Sequence, residues 1–280
     1  MSYREPLSQL AIAISISESP DMPALGLSQA HLEDAMAEIA RHLLALGARL
    51  AYGGDLREGG FTQLLFELVA RHRRDADQGD RRPAASNFLA WREHIVKPVA
   101  ELKKLATALD NLAELVFLDI EGKEIPFPQR ASMPSQQPSA EEWSQGLTAM
   151  RHTMLRSSQA RIVLGGKVAE YHGIMPGIAE EALLSLQAGQ PLFLLGGFGG
   201  CSRDIAETMG LIDPWQGSRG EWSHRAEFAR FKAADCNNGL TGEEIKTLAK
   251  TPHIDQAIGL ILRGLLKYER NNPTHAGERR

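Results

Sequence analysis

The chain has 280 residues, of which 43% are hydrophobic and 24% charged, a composition typical of a globular protein with one large or two smaller domains. Its formal net charge of −4 lacks the basic excess of a general nucleic-acid binder, and its two cysteines are too few for a disulfide framework. Neither cysteine has metal-ligand spacing, and no apolar run reaches the roughly 18–20 residues of a membrane span, so we expect a cytoplasmic protein without a metal site, a membrane partner or a nucleic-acid partner.

The N-terminal part of the chain predicts strands and helices in alternation. Residues 10–17 (LAIAISIS) indicate a buried first strand. Ser28 is a suitable N-cap for a helix over residues 29–46, whose apolar side chains recur at helical spacing. A second short strand over residues 48–52 runs into a glycine-rich loop, and a further helix is expected over residues 63–71.

The middle of the chain has weaker signals, and we expect an irregular insertion over about residues 73–140. Residues 75–83 are polar and predict a loop, and residues 87–108 predict an interrupted helical region. Residues 121–138 carry four prolines and predict an irregular loop. Within this stretch residues 115–119 (LVFLD) indicate a third strand.

The second half of the chain continues the alternation and ends in helices. A capping-box spacing at Ser139 and Glu142 predicts a helix to about residue 158. Strand-like runs at residues 161–164 and 191–195 flank a helix over residues 178–187. Further helices are expected over residues 202–209, 224–234, 241–250 and 254–268. This order predicts an α/β fold with a largely parallel sheet, in which loops at the carboxyl ends of strands form the ligand crevice.

Three glycine-rich loops follow predicted strands and are candidates for a ligand site. Backbone amides left open by glycine near a helix N-terminus bind phosphate or carboxylate groups. The loops contain Gly53, Gly54, Arg57, Gly60 and Thr62; Gly165, Gly166 and Lys167; and Gly196, Gly197, Phe198, Gly199 and Gly200. Arg57 or Lys167 would pair with a phosphate and Phe198 would stack on a base, or these residues belong to simple turns and solvated surfaces. Tyr171 and Arg151 are further binding candidates.

The segment after the second loop carries the candidate catalytic side chains. Pro176 and Gly177 fit the start of a helix, and the glycine permits close approach of a ligand. Glu180 and Glu181 fall in the first turn, where carboxylates gain from the helix dipole, a purely structural explanation. Alternatively, one carboxylate binds ribose hydroxyls or acts at an anomeric carbon. Because adjacent helical residues point about 100° apart, we expect at most one of the two to face the crevice.

Several of these residues together resemble the SLOG superfamily. They are Met150-Arg151, residues 160–163, Gly165-Gly166, Gly173, Pro176-Gly177, Glu180-Glu181 and Gly196-Gly197. The superfamily unites the DNA-processing Smf/DprA proteins, the LOG-type phosphoribohydrolases, and nucleotide-sensing domains of bacterial anti-phage systems and TRPM-type channels. LOG enzymes carry Pro-Gly-Gly-x-Gly-Thr-x-x-Glu, whereas Pro176-Gly177 here continues directly into Ile-Ala-Glu-Glu. The chain is therefore more similar to the sensing members.

The resemblance implies a fold, a ligand class and partners. The implied fold is a Rossmann-like open sheet with helices on both faces over residues 1–212, with a helical extension over residues 213–280 packed on it. The implied ligand is ADP-ribose, another NAD-derived signal or a nucleotide sugar, with no cofactor required, a homo-oligomeric state and a separately encoded effector. We therefore expect a sensor module that binds a nucleotide-derived small molecule. The alternative is an N-glycosidic hydrolase or transferase that uses Glu180 or Glu181 on nucleotides or nucleosides.

Overall fold

A single open sheet organises the molecule. The computed structural model describes residues 5–54, 56–57, 59–75, 83–110, 112–215 and 221–271. Six strands pair in parallel in the order β4-β3-β2-β1-β5-β6. They are β1 (Ala11–Ser17), β2 (Arg49–Gly53), β3 (Ala85–Leu89), β4 (Ala113–Phe117), β5 (Ala160–Gly165) and β6 (Leu192–Leu195). The predicted Rossmann-like α/β fold is confirmed.

Helices lie between successive strands along the chain. In the described residues they are α1 (Gln29–Ala45), α2 (Phe61–Asp75), α3 (Trp91–Ile95), α4 (Val99–Ala108), α5 (Phe127–Ala131), α6 (Ala140–Ser157), α7 (Gly177–Gln187), α8 (Gly200–Thr208), α9 (Gly242–Lys250) and α10 (Ile254–Asn271). Short 3-10 helices at Met22–Leu25, Gly196–Phe198, Arg225–Arg230 and Ala233–Cys236 complete the connections.

The helices cover both faces of the sheet. On one face α1, α2 and α10 pack against side chains that include Ile12, Ile14 and Leu50. On the other face α6 packs against Ala13, and α7 and α8 pack against Val163. Because a parallel strand in this position is covered on both sides, residues 11–16 of β1 are all buried, including Ser15.

The central strand β1 marks the point where the strand order reverses. From β1 the sheet extends through β2, β3 and β4, and the chain then returns to place β5 on the opposite side of β1. The register sets Ile12 opposite Ala160 at one end and Ser17 opposite Gly165 at the other. A ligand crevice in this class of sheet lies outside the carboxyl ends of the strands at such a switch point.

The middle of the chain departs from the expected pattern. The segment 73–140 supplies β3 and β4 to the sheet, so it is not an irregular insertion. The sequence of β3, ASNFL, contains no β-branched residue and therefore lacks the usual strand signal. Pairing with β2 and β4 determines its conformation instead. Residues 224–234 form two short 3-10 helices rather than an α-helix, and most of the loop expected over residues 75–83 lies outside the described residues.

A buried arginine joins α5 to α3 and β4. Arg130 is fully buried, and its Nε donates to Nδ1 of His94 at 2.9 Å. Its Nη2 donates to the backbone carbonyls of His94 at 2.6 Å and Lys97 at 3.0 Å. The remaining ring nitrogen of His94, Nε2, donates to the carbonyl of Leu118 at 2.8 Å. Burial lowers the pKa of His94 to about 4, so the neutral ring that these hydrogen bonds require is the stable form.

The C-terminal helices complete the core and protect a sheet edge. Ala257, Ile261 and Leu265 of α10 are buried in the cluster that also contains α1. Beyond β6, the side-chain amide of Asn238 donates to the carbonyl of Leu192 at 2.8 Å, which pairs part of the strand edge. No helix in the described part of the chain is long and apolar enough to cross a membrane.

Candidate functional site

An ion pair joins the ends of two neighbouring strands at the switch point. Glu18 directly follows β1, and its Oε2 lies 2.9 Å from Nζ of Lys167, the first exposed residue after β5. The pKa of Glu18 is lowered, chiefly by the hydrogen bond and charge of Lys167, with a smaller contribution from the charge of Arg57 after β2. The structure thus pairs Lys167 with Glu18, and Arg57 acts on Glu18 through its charge. Both side chains of the Glu18–Lys167 pair are about half exposed, at 53% and 51%.

Glu18 is a candidate site residue that its sequence position alone signals weakly. It is one of 35 acidic residues and belongs to no recognisable motif. The usable signal is its place immediately after the central strand, because the ends of parallel strands line the crevice.

The glycines after β5 allow three chain segments to meet closely. Gly165 and Gly166 have φ values of +68° and +103°, which glycine adopts without strain. The amide of Gly166 donates to the carbonyl of Ser17 at 3.0 Å, and its carbonyl accepts from the amide of Cys201 at 2.8 Å. These two glycines therefore join β1 to the start of α8 and place Lys167 at the rim.

The third glycine loop is packed inside the protein. Residues 196–200 are all buried, and Phe198 is only 1% exposed, so this ring offers no free face to a base. A Cβ at Gly197 would collide with the carbonyl of Thr251, and one at Gly200 with the carbonyl of Gly166. The Gly200 amide at the N-terminus of α8 donates to the carboxylate of Asp21 at 2.7 Å. Close backbone packing explains these glycines, contrary to the expectation of an open phosphate-binding loop.

This packing role predicts a large loss of stability from one methyl group. We expect Gly200→Ala to lower the free energy of unfolding by about 3–4 kcal/mol, since the new Cβ adds overpacking to the strain of a positive φ. Gly210→Ala is the matched control, because Gly210 has a similar φ of +68° but nothing within 4 Å of the added Cβ. The control should lose only about 1–2 kcal/mol in urea unfolding. Equal losses in the two variants would contradict the packing explanation.

The first glycine loop also has packing roles in its described residues. A Cβ at Gly53 would press on Met150 and Met154 of α6, and one at Gly54 on Tyr52 and Thr62. Thr62 itself is buried. Around Gly59, by contrast, the space for a Cβ is open. Gly60 is half-buried, and the side chain of Arg57 is the exposed part of the loop.

Glu180 lies in a buried pair beneath the loop that joins β5 to α7. Its Oε2 accepts a short hydrogen bond from Nη1 of Arg151 on α6, and its Oε1 accepts from Oγ1 of Thr148 at 2.6 Å. A Cβ at Gly173 would come within 3.4 Å of Arg151 Nη1, and one at Gly177 within 2.7 Å of its Nη2. Gly177 thus lets the start of α7 pass close to the guanidinium, whereas Gly173 meets it only at ordinary contact distance.

Glu181 shares Arg151 with Glu180, with its Oε1 3.7 Å from Nε of Arg151, and also reaches toward the sheet. Its Oε2 accepts from Nη1 of Arg161 on β5 at 2.9 Å. Arg161 is fully buried and also donates to the hydroxyls of Ser15 at 2.7 Å and Ser185 at 3.0 Å. Burial lowers the pKa of Arg161, and the charge of Glu181 opposes this effect. The two adjacent glutamates therefore contact different parts of the fold: Glu180 lies beneath the β5–α7 loop, and Glu181 lies against the sheet.

An aromatic contact holds the β5–α7 loop against α6. The ring of His172 stacks on Trp143 with centroids 3.7 Å apart and an interplanar angle of 22°. The guanidinium carbon of Arg92 lies 3.6 Å from the centre of the same indole. Tyr171, the expected stacking residue, is half-buried and donates to Ser223 Oγ at 3.4 Å. Sequence reasoning missed Trp143 and Arg92, although Trp143 lies on the helix that carries Arg151.

A cavity of about 220 Å³ lies elsewhere, among residues at the amino ends of the strands and the end of α6. Its lining includes Arg49, Glu114 and Thr153. Because the switch-point crevice is at the opposite end of the strands, this cavity is separate from the candidate site. Within the described residues no group of three or more His, Cys, Asp or Glu side chains is placed to hold a metal ion.

A comparison with known families covers nearly the whole described chain. The family model described as SLOG cluster 2 matches residues 6–271, which include the sheet, the β5–α7 loop and the C-terminal helices α9 and α10. No curated protein matches the chain.

Proposed function

Because the chain belongs to the SLOG family, whose membership indicates binding of, or activity on, nucleotide-related molecules, we propose that it binds a nucleotide-derived small molecule at the switch-point crevice. The finer ligand class that we propose is ADP-ribose, another NAD-derived signal or a nucleotide sugar. Such molecules combine an anionic phosphate, a ribose and an aromatic base. Each part needs a different kind of protein group.

The observation that carries the proposal is the ion pair of Lys167 with Glu18 at the ends of β5 and β1. It is half exposed and lies at the point where this fold class binds ligands, and the charge of Arg57 adds to it. A half-exposed ion pair is weak, on the order of 0–1 kcal/mol, so a ligand phosphate can replace the carboxylate at little cost. Arginine and lysine both make charge-assisted hydrogen bonds to phosphate.

The Arg151–Glu180 pair is the proposed contact for the ribose. It is buried below Gly173, in the loop that joins β5 to α7. Both oxygens of Glu180 already accept hydrogen bonds, from Arg151 and from Thr148. A carboxylate held in this way is suited to accepting further hydrogen bonds from hydroxyls. It is less suited to a nucleophile, which supports binding over N-glycosidic hydrolysis.

Calorimetry with ADP-ribose, cyclic ADP-ribose, NAD and AMP tests the proposal, with chromatographic analysis of every mixture. We expect at least one of these nucleotides to bind the wild-type chain without being consumed. Lys167→Ala should weaken that binding roughly tenfold, because one charge-assisted hydrogen bond to phosphate is lost. Lys104→Ala is the control, since Lys104 is an exposed lysine on α4, away from the crevice. Release of a free base would instead identify an N-glycosidic enzyme, and no binding of any nucleotide would overturn the proposal.

A further inference from the structure

The residue that contacts the base of the ligand differs from those that the sequence suggests. Phe198 is 1% exposed and enclosed in the core, so no ligand can reach its ring. Tyr171 is half-buried and its hydroxyl is directed to Ser223, on the side of the C-terminal region. Trp143 is a better candidate among the described residues near the Arg151–Glu180 pair. One face of its ring is covered by a loop side chain, that of His172.

We propose that the face of Trp143 now covered by His172 is the stacking surface for the base of the bound nucleotide, and that His172 occupies it when no ligand is present. This inference rests on the proposed function and names the residue that recognises the base. The His172 ring lies nearly parallel to the indole, at 22° and 3.7 Å between centroids. That is the geometry of a base stacked on an aromatic side chain.

The opposite face of the Trp143 ring is covered by the guanidinium of Arg92. Arg92 and His172 both approach the ring centre to less than 4 Å, so they must lie on opposite faces to avoid each other. Arg92 belongs to α3, and Gly146 of α6 packs directly against Trp91 of the same helix. The indole is therefore held by two packed helices and presents one fixed face toward the loop.

The stacking face and the ribose contact are adjacent. His172 covers Trp143, and the next residue, Gly173, lies over Arg151 and Glu180. The same short loop segment therefore covers both the indole of Trp143 and the Arg151–Glu180 pair. A nucleoside in this position would hold its ribose at Glu180 and its base on Trp143.

His172 is easily displaced compared with the residues around it. It is exposed, and it lies in a loop without helix or strand between β5 and α7. Two residues earlier Glu170 has a φ of +55°, a strained value for a residue other than glycine. The indole Nε1–H of Trp143 is buried with no hydrogen-bond partner among the described residues. Movement of the loop would let this N–H donate a hydrogen bond to water or to the ligand.

The test compares ADP-ribose with ribose 5-phosphate, which lacks a base. Trp143→Leu should weaken ADP-ribose binding roughly 5- to 100-fold and leave ribose 5-phosphate binding unchanged. Trp143→Phe, which keeps a ring, should retain most of the affinity. His172→Ala should tighten ADP-ribose binding severalfold, because the competing ring is removed. Trp215→Leu is the matched control, since Trp215 also carries an arginine, Arg203, over its ring at 4.9 Å.

Each outcome decides the inference. If Trp143→Leu binds ADP-ribose like the wild type, or loses both probes equally, Trp143 is not the base-stacking residue although the proposed function stands. If the wild type binds no nucleotide of the calorimetry panel, the proposed function and this inference fall together; if it binds one other than ADP-ribose, that nucleotide takes the place of ADP-ribose in the comparison. Should Trp143→Leu not fold, His172→Ala decides, and unchanged or weaker ADP-ribose binding by that variant would overturn the inference.

Discussion

Replacing Glu181 with glutamine is expected to lower the free energy of unfolding by about 3–5 kcal/mol. The variant keeps the size of the side chain but leaves Arg161 as a charged group with no carboxylate on it, in a position that is 0% exposed. The neighbouring charge of Arg151 already disfavours the charged form of Arg161. Urea unfolding of the ligand-free chain measures the loss.

Two further variants separate charge from packing at this position. Glu243→Gln is the control, because Glu243 pairs with Lys246 in a similar ion pair but is 86% exposed, and it should change stability by less than about 1 kcal/mol. The double variant Glu181→Leu with Arg161→Met removes both buried charges and should recover most of the loss. A loss below about 1 kcal/mol in Glu181→Gln would mean that the ion pair contributes no specific stability.

The second large effect is expected from Arg130→Met, at about 4 kcal/mol or more. The guanidinium donates to Nδ1 of His94 and to the carbonyls of His94, Lys97 and Met133. Methionine fills much of the volume but leaves these acceptors buried without a donor, at about 1–3 kcal/mol each. The contacts that join α3, α5 and β4 should be lost together.

Arg156→Met provides the comparison for Arg130→Met. Arg156 is exposed on α6 and donates to Thr153 Oγ1 at 2.9 Å, so its removal should stay within about 0.5 kcal/mol. Thermal and urea unfolding of both variants give the difference. If the two substitutions cost the same, the buried hydrogen bonds of Arg130 do not stabilise the fold.

Strong periodic patterns made much of the fold predictable. The first strand and first helix lie within about one residue of their expected ends, because burial on both faces and helical spacing leave clear signals. β3 was not predictable in this way, since its sequence ASNFL has few strand-forming residues. Its neighbours in the sheet, more than 25 residues away along the chain, decide its structure.

The site was predictable as a location but less so in its details. The loops after β1, β2 and β5 meet at the switch point because parallel strands end at the same edge. Whether a glycine faces a ligand or another backbone depends on distant residues, and Gly197 is explained by the backbone of Thr251 and Pro252. In the same way, the stack of His172 on Trp143 joins side chains 29 positions apart, and no local pattern indicates it.

The roles of the glycine loops also change how the family motif is understood. Gly165, Gly166 and Gly200 bring the ends of β1, β5 and α8 into direct contact. Substitutions there would reduce ligand binding through the fold, even though these residues need not touch the ligand. Binding defects in such variants therefore identify contact residues only when stability is measured alongside affinity.

The pairing of β1 with β5 has a consequence for the way the protein is made. The amide of Ala11 at the start of β1 donates to the side chain of Gln159, 148 positions later. At a synthesis rate of about 5–20 residues per second, β1 emerges from the ribosome roughly 7–30 s before its partner. During that interval one edge of this largely buried strand is unpaired, and unpaired edges recruit other chains. The nascent chain, rather than the finished protein, is the form of this molecule most in need of a chaperone.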